Sequence, residues 1–132
     1  MTVFVDSSFL IAFFNKDDEF HKRSVRIVEN LEKKESVFLT SNIAIAESIN
    51  VIFRLYGTKM AKRFSTFINT SNIEVFSLTE SLFSSSLTLL LKQRSKKGLN
   101  FFDCMHIATM NHLGISTILT FDTDFNKANI EV

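Results

Sequence analysis

Five acidic residues stand where a carboxylate can do chemistry. Asp103 lies near the start of a helix-patterned run, and the short apolar segment STIL downstream of it leads to Thr120, Asp122 and Asp124. Asp6 closes the apolar stretch TVFV, and Glu47 sits early in a further helical stretch. Acids at strand exits and near helix starts converge when those elements meet at one sheet edge. Brought together, Asp6, Glu47, Asp103 and Asp122 repel one another unless a divalent cation sits among them. The pattern points to an oxygen-rich metal site, with Asp124 as an auxiliary acid two residues beyond Asp122. Ser7 or Ser8 can hold a ligand water or a phosphate there, and Thr120 can orient a ligand.

The elements that must position these groups follow from hydrophobic period and turn chemistry. Short β-rich segments are expected at Thr2–Val5, Ser36–Thr40, Asn72–Phe76 and Ser116–Leu119, with a fifth at Asn129–Val132. Helices are expected over Phe9–Phe14, His21–Glu32, Ile43–Tyr56, Lys59–Ile68, Ser81–Arg94 and Phe102–Leu113. In the second of these Val25, Val28 and Leu31 share a face. In the third, the period places Ile45, Ile49, Ile52, Phe53 and Tyr56 on one side and Glu47, Asn50 and Arg54 on the other. Gly57 and Gly114 read as helix stops, and Lys96-Lys97-Gly98 as the cap of the long helix before them. Strands alternating with single or paired helices argue for an α/β/α sandwich around a parallel sheet of four to five strands. In such a sheet ligands sit outside the carboxyl ends of the strands. Asp6 and Asp122 lie just past two of those ends, and Glu47 and Asp103 in the early part of helices that leave the same edge.

Each acid also has a plainer role open to it. Asp6 can cap the helix that follows. Glu47 can belong to a solvated helix face. Asn100 and Asp103 have capping-box spacing, although the apolar residues around Asp103 favour a partner for its charge. Asp122 and Asp124 can be turn formers. His21, His106 and His112 are not spaced as a zinc set, and His106 reads as a partly buried helix residue rather than a base. The basic residues Lys92, Arg94, Lys96 and Lys97 balance a helix dipole most simply, and contact with nucleic-acid phosphates is the alternative.

Composition bounds the class. The 132 residues suit one domain, 45% are apolar and 22% charged, and the net charge of +1 gives no whole-molecule pull on nucleic acid. Fifteen Phe against one Tyr and no Trp imply a core filled by benzyl rings. With no Pro and three Gly, turns depend on Asn, Ser, Thr and Asp. A lone cysteine, Cys104, excludes an internal disulfide and a cysteine-based zinc site, so a cytoplasmic setting is expected. The longest apolar runs are too short to cross a membrane, and the first residues do not read as a secretory signal.

Three blocks, VFVDSSFLIAFF, TSNIAIAES and LNFFDCMHIATMNHLGISTILTFDTDF, resemble the signature blocks of PIN domains. The resemblance runs from Asp6 to Phe125, and the length suits the VapC-like toxins. It implies a nuclease site dependent on Mg²⁺ or Mn²⁺, with Asp6, Glu47, Asp103 and Asp122 in the places of the family's acids and Asp124 beside them. It also implies an RNA substrate, a cognate antitoxin and a homodimer. Phe101-Phe102 before Asp103 is bulkier than the family pattern, and Cys104 stands where a small residue is usual; neither removes an acid. Competing classes are disfavoured by particular residues. Haloacid-dehalogenase phosphatases need a second Asp where Ser8 stands, and a dinucleotide fold needs a Gly-rich turn that DSSFL lacks. A PIN-like module that binds RNA or protein without cutting would be signalled by a missing acid, and none is missing. A purely structural chelator would melt in a metal-dependent way without cleaving.

Overall fold

The first strand sets the plan of the molecule. In β1 (Thr2–Val5) the side chains of Val3 and Val5 enter one apolar cluster, and that of Phe4 enters another on the opposite face. A strand apolar on both sides belongs at the centre of a covered sheet. The computed structural model, which describes residues 1–128, places it there. β2 (Val37–Ser41) and β4 (Ile118–Leu119) flank β1, and β3 (Glu74–Phe76) is the outer neighbour of β2. All pairs are parallel, with Val3 opposite Phe38, Phe4 opposite Ile118, and Thr40 opposite Val75. The expected fifth strand at 129–132 lies outside the described residues.

The helices follow from this order. From β1 to β2 to β3 the chain steps one way across the sheet, so right-handed crossovers put the intervening helices on one face. These are α1 (Ser7–Phe14), α2 (His21–Lys33), α3 (Asn42–Tyr56) and α4 (Thr58–Thr70). Phe9, Leu10, Ala44, Ile52, Phe64 and Ile68 pack there with Val3, Val5 and Leu119, and Val28 and Leu31 of α2 close the cluster. The return from β3 to β4 crosses the other way, so α5 (Glu80–Leu91) and α6 (Phe101–Leu113) cover the opposite face. Met110 of α6 meets Phe4, Leu39, Ile118 and Phe125 there. A short 3₁₀ helix follows at Thr123–Ala128. The benzyl-rich core appears as packed rings: Phe14 meets Phe64 edge-on at 5.3 Å, and Phe121 stacks between Phe9 and Phe20.

Two expectations are corrected. The long helix ends at Leu91, not Arg94, and Lys96-Lys97-Gly98 does not cap it. Lys92 occupies the cap position, and the Gln93 side chain then clamps the loop by accepting from Leu99 N at 2.7 Å and donating to Leu99 O at 2.8 Å. A Cβ on Gly98 would collide with that bonded amide, which accounts for the glycine. The second correction concerns α3. Its core-facing row is Ala44, Ser48 and Ile52, whereas Ile49, Phe53 and Tyr56 are exposed. Small residues at 44 and 48 bring the helix close to its neighbours, and close packing outranks the wider apolar stripe in setting rotation. The Ser48 hydroxyl satisfies itself by donating to Ala44 O at 2.8 Å.

This rotation can be tested by substitution. Ile52→Ala, at a side chain 1% exposed, should cost about 2–5 kcal/mol of unfolding free energy. Phe53→Ala, at a side chain 55% exposed, should change it by less than about 0.5 kcal/mol. Urea unfolding at low protein concentration reads both, and a reversed order would contradict the rotation described.

Candidate metal centre

β1 and β4 are neighbours reached by connections that run in opposite senses, which makes the crevice between their carboxyl ends a topological switch point. Asp6 leaves β1 at this point, and its backbone N–H donates to Leu119 O at 3.0 Å. It occupies the N-cap position of α1 without making the capping bond. The carboxylate is spent elsewhere. Oδ2 accepts from Thr120 Oγ1 at 2.7 Å and from Ser8 Oγ at 3.0 Å. Oδ1 has only long contacts, with Ser7 Oγ and with His106 Nε2, each at 3.5 Å. One oxygen is thus held by two hydroxyls from two elements, and the other has no short hydrogen bond.

Thr120 and Ser8 extend this order to the β4 exit. The Phe121 N–H donates to Ser8 Oγ at 3.0 Å, and the Asp122 N–H donates to Thr120 Oγ1 at 3.0 Å. Asp122 Oδ1 in turn accepts from Asp124 N at 2.9 Å, so the turn-former role weighed for Asp122 is realised. Asp124 lies in the 3₁₀ helix.

Asp103 serves as a cap and as a buried acid together. The Asn100 side chain accepts from Asp103 N at 2.8 Å, and Asp103 Oδ2 accepts from Asn100 N at 3.2 Å, completing a capping box. Its carboxyl is 5% exposed and is pushed up to about 6. Burial is the main cause, reinforced by the charges of Asp122 and Asp6 and opposed by the Asn100 bond and by His106. Those two acids therefore lie close enough for their fields to act on Asp103. Burial, with help from the Asp103 charge, also keeps Cys104 a thiol.

Glu47 reaches the crevice from the second turn of α3, where Oε1 lies 2.7 Å from His106 Nε2. Ligand atoms of Asp6, Glu47 and His106 all fall within 4.8 Å of one another. The contacts of His106 and Ser8 were not read from the sequence, and both had a signal there. His106 stands three residues after Asp103 and so shares its helix face. Ser8 stands two residues after Asp6. His106 is fully buried, not partly so as expected. The basic residues Lys92, Arg94, Lys96 and Lys97 lie exposed around the loop that leads into α6. An apolar hollow of about 140 Å³ lined by Val5, Phe9, Phe13, Val28 and Phe67 contains none of the acids.

The donor set fits a hard divalent cation. Among the described residues no lysine or arginine pairs with Asp6, Glu47, Asp103 or Asp122. Clustered carboxylates with no lysine or arginine partner are poorly compensated until a cation arrives. The cost has a pH signature. Between the ordinary value of 3.8 and about 6, folded Asp103 holds a proton that the unfolded chain has released, so this group's contribution falls as pH rises through that window. Asp103→Asn should therefore stabilise the metal-free protein at pH 7.5 by on the order of 2 kcal/mol, with the gain vanishing near pH 4. The same substitution should reduce thermal stabilisation by added Mn²⁺. Calorimetric melting at both pH values checks this, and a loss of stability at pH 7.5 would contradict it.

The PIN domain family matches residues 3–131 of the chain. Among solved structures the chain is similar to VapC20 of Mycobacterium tuberculosis, described as a sarcin-ricin-loop-cleaving toxin. The identity is 26% and the TM-score 0.84, over 97% of this chain and 95% of that one. It shares its fold with VapBC2 from Rickettsia felis, solved bound to a promoter DNA fragment, at 13% identity and TM-score 0.70, covering 99% and 96% of the two chains. FitAcB from Neisseria gonorrhoeae is similar at 16% identity and TM-score 0.69, covering 98% and 95%. No curated protein matches in sequence. No helix among the described residues is long and apolar enough to cross a membrane. The match over nearly the whole length shows that the chain belongs to the PIN-domain family.

Proposed function

We propose that the protein is a metal-dependent endoribonuclease that hydrolyses RNA phosphodiester bonds and serves as the cytoplasmic toxin of a toxin–antitoxin pair. The observation that carries this reading is the gathering of Asp6, Glu47 and His106 ligand atoms within 4.8 Å of one another beside the buried Asp103, with no lysine or arginine paired to these acids among the described residues. Membership of the PIN-domain family and the described activity of VapC20 support the choice of RNA.

Asp6, Glu47, Asp103 and Asp122 would hold Mg²⁺ or Mn²⁺, with Asp124 auxiliary. A cation bound there supplies Lewis acidity toward a phosphate oxygen and lowers the pKa of a water. The chain's own groups do the positioning. Thr120 and Ser8 fix Asp6 through Oδ2, which leaves Oδ1 turned toward Glu47 and His106. Ser7, at the edge of hydrogen-bond range from Oδ1, supports the same carboxylate. Glu47 is less buried than Asp6 and Asp103 and is suited to accept a proton from the attacking water. Lys92, Arg94, Lys96 and Lys97, just upstream of Asp103 in the chain, would meet RNA phosphates, a local attraction that the net charge of +1 does not reveal.

Two exposed apolar surfaces suit protein partners. One is Ile49, Phe53, Leu55 and Tyr56 on α3; the other is Phe83, Leu87 and Leu91 on α5. A second copy of the chain and a cognate antitoxin are the occupants we assign to them, in line with the toxin–antitoxin assembly described for the Klebsiella pneumoniae neighbour.

Incubation of purified protein with a mixed RNA pool tests the activity. Cleavage should require Mg²⁺ or Mn²⁺, stop in excess EDTA and fall to background in Asp6→Asn and Asp103→Asn. Undiminished cleavage in EDTA would refute the metal-dependent reading. Metal binding without cleavage of any RNA offered, including intact ribosomal RNA, would favour a module that binds without cutting.

A further inference from the structure

His106 is completely buried, between the ring of Phe4 at 5.3 Å and that of Phe125 at 6.5 Å, centroid to centroid. Its Nε2 lies 2.7 Å from Glu47 Oε1 and 3.5 Å from Asp6 Oδ1. Its Nδ1 is buried and has no hydrogen-bond partner. These observations distinguish two roles that proximity to the acids leaves open. A ring nitrogen that ligates a metal carries no proton, so the proton moves to the other nitrogen, which in metal sites donates to a carboxylate or carbonyl. Here Nδ1 has no acceptor, and a buried donor left unpaired costs about 1–3 kcal/mol. Conversely, a bare Nε2 would press its lone pair against the carboxylate oxygen of Glu47. A proton on Nε2 removes the clash with Glu47 and makes the 2.7 Å contact a charge-assisted hydrogen bond, with Nδ1 then a bare acceptor rather than an unpaired N–H.

We propose that His106 is a positioning residue that donates from Nε2 to Glu47, fixes that carboxylate against Asp6, and does not itself ligate the metal. The inference rests on the reading that Asp6 and Glu47 hold the cation. Glu47 needs such a hold, because it projects from α3 on a flexible side chain, whereas Asp6 and Asp103 are tied by bonds to neighbouring residues in their own elements. The two aromatic rings restrict the imidazole plane, so the donor direction is set before the cation arrives.

The test pairs affinity with the position of the proton. Mg²⁺ affinity is measured by calorimetry for the wild type, His106→Gln and His106→Leu, with the fold of each checked by circular dichroism and melting. Glutamine places an amide N–H near the position of Nε2, so it should keep affinity within about threefold, whereas leucine should lose about 10- to 100-fold. In ¹⁵N-labelled wild type, long-range ¹H–¹⁵N spectra should show Nε2 protonated both without and with saturating Mg²⁺. Loss of the Nε2 proton on adding Mg²⁺ would overturn the proposal in favour of direct ligation. Equal affinity in all three proteins, or equal loss in both variants, would overturn it as well. Failure of the folded wild type to bind Mg²⁺ at all would remove the metal-site reading, and this inference with it, and is distinct from any pattern among the variants.

Discussion

Carboxylates gathered at one sheet edge, with no lysine or arginine among the described residues to pair with them, are the constraint on which the other features of this molecule depend. Asp6 is 3% exposed and Asp103 5%, and the charge of Asp6 acts on Asp103 through its field. Burial of this kind raises the free energy of the metal-free fold, and the surrounding structure has to hold the acids in place against their repulsion. Two devices do so. The hydroxyls of Thr120 and Ser8 tie Asp6 across the β1–β4 junction, and the Asn100 capping box fixes Asp103 at the head of α6. Both leave carboxylate capacity unspent on the crevice side.

The core exists in a form that delivers these acids to one place. β1 is apolar on both faces and therefore central, so its carboxyl end opens at the point where the crossovers change direction. A helix from each side of the sheet then borders the crevice: α3 brings Glu47 and α6 brings Asp103 and His106. The two helices touch, and the bond from His106 to Glu47 joins the two layers at the site. The rotation of α3 that buries Ala44, Ser48 and Ile52 is what allows Glu47 to meet His106. The same rotation leaves Phe53 and Tyr56 in solvent.

Much of this was legible from residue order. Parallel topology follows from strands alternating with helices, and strand exits and helix starts bring Asp6 near Glu47, and Asp6 and Asp122 near Asp103. The capping box at Asn100 and Asp103 and the stops at Gly57 and Gly114 were also readable, because they are local chemistry with fixed spacing. The features that escaped depend on tertiary contacts. The hydrophobic stripe of α3 placed Ile45 and Ile52 in the core but Ile49, Phe53 and Tyr56 wrongly, because periodicity ranks residues by polarity, whereas close packing selects small ones. The helix before α6 stops early because the Gln93 amide finds Leu99, a contact no propensity encodes. The bond of His106 to Glu47 was not legible because the two residues lie far apart in the chain. The role of Ser8 needed the position of Thr120.

Diffraction from crystals soaked in Mn²⁺, with data collected to exploit its anomalous scattering, would locate the cation. An anomalous peak is expected in the crevice, bounded by the carboxylates of Asp6 and Asp103 with Glu47 or Asp122 within ligand reach. No peak there at saturating Mn²⁺, or peaks only at exposed acids elsewhere on the surface, would contradict the metal-site reading.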